Sequence, residues 1–405
     1  MGHAIRSALE AWWAARRVAI LRVAVAVMLV LAILKLGDEF ARLLWGPAPK
    51  GAYDLRFFHL GARSWFEGVP IYAEDMHADY PPASYLMLWP LVGWPDLAAA
   101  RWLWALTSVA MLAWMVRIVI RESGARARLD RIFVALLLLS MNATGVAIGN
   151  GQIILHILPF IVTGVLLLGS REGGWDRDLA AAAFFILALS KPSVSIPFFW
   201  LALFVPRRLR PAALIVAGYV LLTLVASAFQ SEGVIALFGE WLRRGSLGAA
   251  LGSQKGGYGN VHTWLALLGL QRFNLIASFA LLALLGFWTY RHRRADPWIL
   301  LGVTAIVARL WTYHRIYDDV LVLLPGVALY RIATERTSRD TVGLGAGVLL
   351  GATAFAMLAP ARLLLFPHPW DILFRGGHAI LWAGALIFLT ARAGRAGGAL
   401  QGGVQ

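Results

Sequence analysis

Long apolar runs separated by short polar breaks fill most of the chain, and no ten-residue stretch alternates apolar with polar in the manner of a barrel strand. Runs over residues 18–36, 97–116, 132–148, 153–168, 179–189, 194–205, 212–229, 274–290, 298–308, 320–329, 342–358 and 372–390 each predict a helix. The first, 19 residues long, reaches roughly 28 Å as a helix, enough to cross a hydrocarbon core. It sits behind Arg6, Arg16 and Arg17, and no A-x-A-like site follows it, so it is expected to stay as a first transmembrane helix. Residues 179–189 and 194–205 are short for a crossing, and the Lys191-Pro192 pair between them interrupts any continuous helix. That pair predicts a hairpin turning near the outer face. Backbone amides in lipid must bond within the protein, so the expected fold class is all-α: a polytopic transmembrane helical bundle of about 12 crossings, some short or re-entrant. It forms one integral membrane domain over residues 1–395, with interfacial helices in the first extracytoplasmic loop. The Gly/Ala-rich tail, residues 396–405, is expected to be disordered.

Composition agrees, because 60% hydrophobic and 15% charged residues over 405 positions leave too little polar surface for a soluble fold. The chain has no cysteine, which excludes disulfides, thiolate metal ligands and Cys nucleophiles. A net charge of +15 suggests nucleic acid in a soluble protein, but here Lys and Arg gather in short connections at 117–131, 206–211, 291–296 and 331–340, on the side that holds the amino terminus. The positive-inside rule then places both termini in the cytoplasm of a multi-pass cell-membrane protein. Membrane lipids, not nucleic acid, are the expected partners of this charge. Function is left to the outer mouth of the bundle.

Three outer loops are polar enough to carry it. The first, residues 37–90, holds seven acidic residues between Asp38 and Asp79, and its segment Tyr53–Phe66 places Tyr53, Phe57, Phe58, Trp65 and Phe66 at helical spacing, as an interfacial amphipathic helix does. The second, residues 230–272, contains Gly245-Ser246-Leu247-Gly248 and Gly256-Gly257-Tyr258-Gly259-Asn260, which predict mobile backbone and not regular helix. The third gathers Arg309, Trp311, Tyr313, His314 and Arg315 ahead of Asp318 and Asp319.

Asp54, at the start of the predicted interfacial helix, reads either as an N-terminal cap or as a general base aimed into a cleft. Asp75 and Asp79, just before Pro81-Pro82, read as solvated turn residues. Ionisable groups at membrane depth are costly, so His314 and Arg315 form either a phosphate-binding pair or a salt-bridged helix end. Lys191 either reaches an anionic headgroup or snorkels to the interface. No His/Asp/Glu cluster has metal spacing, and neither a P-loop nor a Ser-centred elbow occurs, so no metal and no cofactor are expected. An enzyme on the outer face then needs a donor already present there, and a lipid-linked phosphosugar is one.

The ordered motifs Tyr53-Asp54-Leu55-Arg56-Phe57-Phe58-His59, Gly68-Val69-Pro70-Ile71-Tyr72, Tyr80-Pro81-Pro82 and Leu88-Trp89-Pro90-Leu91 are followed by Gly149-Asn150-Gly151-Gln152, Lys191-Pro192 and Tyr313-His314. This order resembles glycosyltransferase family 87, polyprenyl-phosphate-sugar-dependent enzymes of the C-type integral membrane superfamily. The resemblance implies transfer of a hexose, mannose foremost, from a polyprenyl-phosphate donor to a glycolipid or glycan acceptor at the extracytoplasmic face. In such enzymes an acidic residue of the first outer loop deprotonates the acceptor, and Asp54 matches it. An inverting displacement suits that base, and the leaving phosphodiester needs charge neutralisation, a role that falls to His314, Arg315 and Lys191. Arg56, His59, Tyr80, Gln152, Asn260 and His262 complete the residues expected to bind donor phosphate or substrate. Arg56 and His59 are also placed in sequence to lower the basicity of Asp54 by ion pairing.

The alternative is a transporter or flippase of lipid-linked sugars, which calls for inverted repeats and polar residues at mid-membrane; no such repeat is visible. A structural subunit of a cell-envelope complex leaves the polarity around Asp54 and His314 without a purpose.

Overall fold

A computed structural model describes residues 2–72, 80–169, 174–206, 208–252, 260–335, 341–360, 363, 366–367 and 369–401, and no strand occurs among them. The α-helices in chain order are α1 (Gly2–Trp45), α2 (Tyr53–Phe66), α3 (Pro82–Val92), α4 (Leu97–Glu122), α5 (Arg128–Leu139), α6 (Asn142–Asn150), α7 (Ile154–Leu168), α8 (Trp175–Ala188) and α9 (Pro192–Ser195). They continue with α10 (Phe199–Phe204), α11 (Arg210–Ser227), α12 (Val234–Gly252), α13 (Val261–Leu267), α14 (Asn274–His292), α15 (Pro297–Leu310), α16 (Leu323–Thr334), α17 (Thr341–Leu358) and α18 (Trp370–Gln401).

Local chemistry fixes many of the ends. Asp96 and Asp296 cap α4 and α15 by accepting from the backbone N–H of Ala99 and Trp298, each at 2.8 Å. Pro82, Pro192 and Pro297 open α3, α9 and α15, at first-turn positions where a missing N–H costs nothing. The break between α8 and α9 falls on Lys191-Pro192.

Among the described residues, six helices are long and apolar enough to cross a membrane: 15–45, 97–122, 210–227, 271–292, 341–358 and 370–394. The pair α5 and α6, bent by 47°, makes a seventh if counted as one span. The chain is thus a helical membrane protein, with fewer full-length spans than the twelve apolar runs suggest, because several runs fold as short helices such as α7 and α15.

Burial explains the difference. The long spans bury only between 11% and 33% of their apolar windows inside the protein, so most of their surface faces lipid. In α15, by contrast, every residue from Trp298 to Arg309 is buried, and α7 and α16 are buried almost as completely. A helix apolar all round and enclosed by protein is core, and these short helices are that core. The long spans sheathe them.

Two expectations for the loops change. Gly245-Ser246-Leu247-Gly248 lies inside α12, and the helix forms because Leu237 and Trp241 pack inward against the rest of the bundle. Residues 256–259, together with Asp75 and Asp79, lie outside the described residues. The segment Tyr53–Phe66 forms α2 with the expected bounds, but Leu55, Phe58, Ala62 and Trp65 are buried against the bundle. At the carboxyl end α18 extends to Gln401.

Charged pairs collect at two sets of helix ends. One set holds Arg17–Asp130 at 2.9 Å, Asp296–Arg331 at 2.8 Å, and Asp178 with Arg208 and Arg210. The opposite ends of the same helices carry the candidate site.

Candidate active site

Four helix ends meet around Asp54: the start of α2, the turn from α6 into α7, the break between α8 and α9, and the segment that leaves α15. Gly151 makes the first junction possible. Its φ of 71° is left-handed, and a Cβ there would stand 2.5 Å from Leu55 Cβ, so glycine alone lets the α6–α7 turn touch α2. Ala52 N–H donates to Gly149 O at 3.1 Å and ties the entry of α2 to the same turn.

Asp54 is not the cap of α2. That position belongs to Ala52, which has φ 50° and makes no side-chain cap bond. The Asp54 carboxylate instead faces the amides of Gln152 and Asn150 and the cations Lys191 and Arg315. Burial raises its pKa above the ordinary carboxylate value, and these four neighbours offset the rise only in part. Oδ2 is buried with no hydrogen-bond partner. A carboxyl with a raised pKa and one open oxygen is suited to take up a proton.

Lys191 is held, not free. Its Nζ donates to Asp318 Oδ1 at 2.6 Å and to Gln152 Oε1 at 3.4 Å, and lies 4.8 Å from the centre of the Tyr317 ring. Asp318 Oδ2 accepts from Arg315 N at 3.2 Å and lies 3.2 Å from His314 Nδ1, which fixes the start of the 3-10 helix Ile316–Val322. Burial opposes ionisation of Asp318, but Lys191 and His314 prevail and hold its pKa well below the usual carboxylate range. Arg315 is exposed, its Nε donates to the Tyr313 hydroxyl, and it makes no carboxylate salt bridge among the described residues. It is the cation most open to an incoming anion.

His314 has a different place from the phosphate-binding one expected of it. The ring is fully buried, with Nε2 on the Ala308 carbonyl and Nδ1 on Asp318, so neither nitrogen is left for an outside ligand. Burial pushes its pKa down, partly countered by Asp318. Arg309 and Asp319 form a buried ion pair beside it, the salt-bridged helix end of the sequence reading.

Of the remaining candidates, Gln152 lies in the cluster and Tyr80 borders it, close to Tyr317 and edge-on to Phe58 at 4.9 Å. Arg56 and His59 do not, because on α2 they point away from Asp54. Arg56 stands beside Arg101, and His59 Nδ1 donates to Val92 O at 2.7 Å, so neither pairs with the carboxylate. Asn260 caps α13, accepting from Thr263 N at 3.0 Å. His262 serves the third loop from behind: Ser278 Oγ donates to Trp311 O at 2.6 Å, which makes His262 Nε2–H the donor to Ser278 at 2.8 Å. Sequence reasoning missed Asn150, Tyr317 and Asp318 as site residues. The only local signal for Asp318 was its spacing of four from His314.

Residues 79–312 match glycosyltransferase family 87. The chain belongs to that family. As a family 87 member it is a glycosyltransferase, with a sugar donor and an acceptor as substrates. The matched stretch contains Gln152, Lys191 and the whole of α15, and stops short of Asp54 and of His314. No match to a curated protein was found. For this family 87 enzyme, the transporter and structural-subunit readings fall away.

Proposed function

We propose that this family 87 enzyme transfers a hexose, mannose foremost, from a polyprenyl-phosphate donor to a lipid or glycan acceptor at the extracytoplasmic face, with inversion at the anomeric carbon. The observation that carries this reading is Asp54 Oδ2, buried and unpartnered beside Arg315 and Lys191. In the reaction the acceptor oxygen bonds to the anomeric carbon, its proton passes to Asp54 Oδ2, and the bond from that carbon to the phosphate oxygen breaks. The polyprenyl phosphate departs with one more negative charge. Exposed Arg315 meets that charge directly, and Lys191, held in place by Asp318, adds to the field.

The basic connections support cytoplasmic termini, and the charged pairs around Asp130, Asp178 and Asp296 then mark the inner ends of the helices. Asp54, Lys191 and Arg315 are at the other ends, which supports an outer-face site. Counting the short core helices as partial crossings keeps about twelve passages, with α2 lying at the interface through Tyr53 and Leu60, 40% and 50% exposed. The test is transfer of label from polyprenyl-phosphate-mannose to candidate acceptor lipids by the purified wild type, Asp54→Ala and Asp54→Asn. Loss of transfer in both variants is expected, and undiminished transfer in both rules out Asp54 as the base.

A further inference from the structure

We propose that Arg42 is a positioning residue for Asp54, acting through the Asn150 side chain; the proposal rests on Asp54 being the base. Lys35, Glu39 and Arg42 form a row along one face of α1. Lys35 Nζ is 3.4 Å from Glu39 Oε1, and Arg42 Nε donates to Glu39 Oε2 at 2.6 Å. Arg42 Nη1 donates to Asn150 Oδ1 at 2.9 Å and to Lys50 O at 3.1 Å. The row lies directly on two glycines one turn apart in α6. A Cβ at Gly145 would stand 2.6 Å from Lys35 Cε, and one at Gly149 would collide with Glu39 and Arg42. Small residues at these positions let the guanidinium reach Asn150.

A side-chain amide has an accepting end and a donating end. Because Arg42 occupies the oxygen of Asn150, the NH₂ is the end left to face the Asp54 carboxylate. If the amide turned over, its oxygen would oppose the carboxylate. Arg42 therefore sets the sign of the dipole presented to Asp54, and does so from α1. The other groups facing Asp54 are the Gln152 amide, Lys191, and Arg315 and Tyr317 of the third loop. On the elements packed against α2, Arg101 of α4 stands by Arg56, and Tyr85 of α3 stacks on Trp65, so neither competes for Asp54.

The experiment is an infrared titration of the full chain in detergent, following the carboxylic-acid stretch that disappears in Asp54→Asn. Arg42→Met and Asn150→Leu are expected to raise the protonation midpoint of Asp54 by about one pH unit, the worth of one hydrogen bond to a charged acceptor. Arg42→Lys, which keeps a donor, is expected to stay near wild type. Asn150→Leu leaves Arg42 paired with Glu39 and gives the answer if Arg42→Met does not fold. An unmoved midpoint in Asn150→Leu and Arg42→Met, or the same shift in Arg42→Lys as in Arg42→Met, overturns the proposal. Undiminished transfer by Asp54→Ala with a moved midpoint overturns the base reading instead, and the catalytic sense of this coupling with it.

Discussion

Replacing Lys191 by methionine removes one member of a buried ion pair and leaves the other in place. Lys191 and Asp318 are 8% and 2% exposed, and their charged atoms are 2.6 Å apart. In Lys191→Met, Asp318 keeps only His314 Nδ1 and Arg315 N, both at 3.2 Å. Orphaning a buried charge costs about 3–5 kcal/mol, and the two surviving contacts place this case at the lower end. At roughly 2 °C per kcal/mol for a chain of this size, Tm should fall by about 6 °C. Asp318→Asn is expected to cost a similar amount, because Lys191 loses its 2.6 Å ion pair and keeps the Gln152 carbonyl, the Tyr317 ring and the Asp54 carboxylate that faces it. The double variant should cost less than the sum by about 2 kcal/mol, since neither charge is stranded. Thermal unfolding in detergent, followed by tryptophan fluorescence, measures all three. The pKa of Asp318 is lowered in the fold, so its contribution is full above the unfolded value of about 4 and is lost as pH falls further. The gap between wild type and Lys191→Met should therefore shrink below about pH 4. Single costs that add within about 0.5 kcal/mol, or a gap indifferent to acid, would refute the pair.

Gly151→Ala forces a left-handed backbone on a residue with a Cβ, at about 1–2 kcal/mol, and pushes Leu55 away; kcat should drop at least about tenfold because α2 carries Asp54 with it, and wild-type turnover would show that the turn gives way elsewhere. Asp54 has a raised pKa in the fold, so its ionisation at neutral pH opposes folding and this cost disappears as pH falls below that value. Asp54→Asn should accordingly melt higher than wild type at neutral pH, and an unchanged or lower Tm counts against the buried carboxylate. For the same reason the acid limb of kcat/KM should lie above the ordinary carboxylate range near 4, and a limb at or below that value would assign it to another group.

Much of the fold was legible because apolar runs and prolines act locally. The segment Tyr53–Phe66 became α2 with the bounds its spacing implied, and Lys191-Pro192 broke the chain where proline must. What the pattern did not distinguish was lipid from protein as the neighbour of an apolar helix: α15 and α4 read alike, yet one is enclosed and the other faces outward along most of its length. The site was legible as residue types, not as partners. Asp54 and Arg315 stood out as charges in hydrophobic surroundings. The pairs Lys191–Asp318 and Arg42–Asn150 join residues 127 and 108 positions apart, and no local periodicity reports such contacts. His314 looked like a ligand because a buried histidine and an exposed one are the same letter. Only its two occupied nitrogens reveal a structural role.

The central claim, that Asp54 serves the chemistry and the cations hold the donor, separates most directly in one measurement on Asp54→Asn: binding of labelled polyprenyl-phosphate-mannose alongside transfer. Binding should equal that of wild type while transfer falls at least about a hundredfold, the usual worth of a positioned base. Transfer at the wild-type rate, or donor binding lost together with transfer, would contradict it.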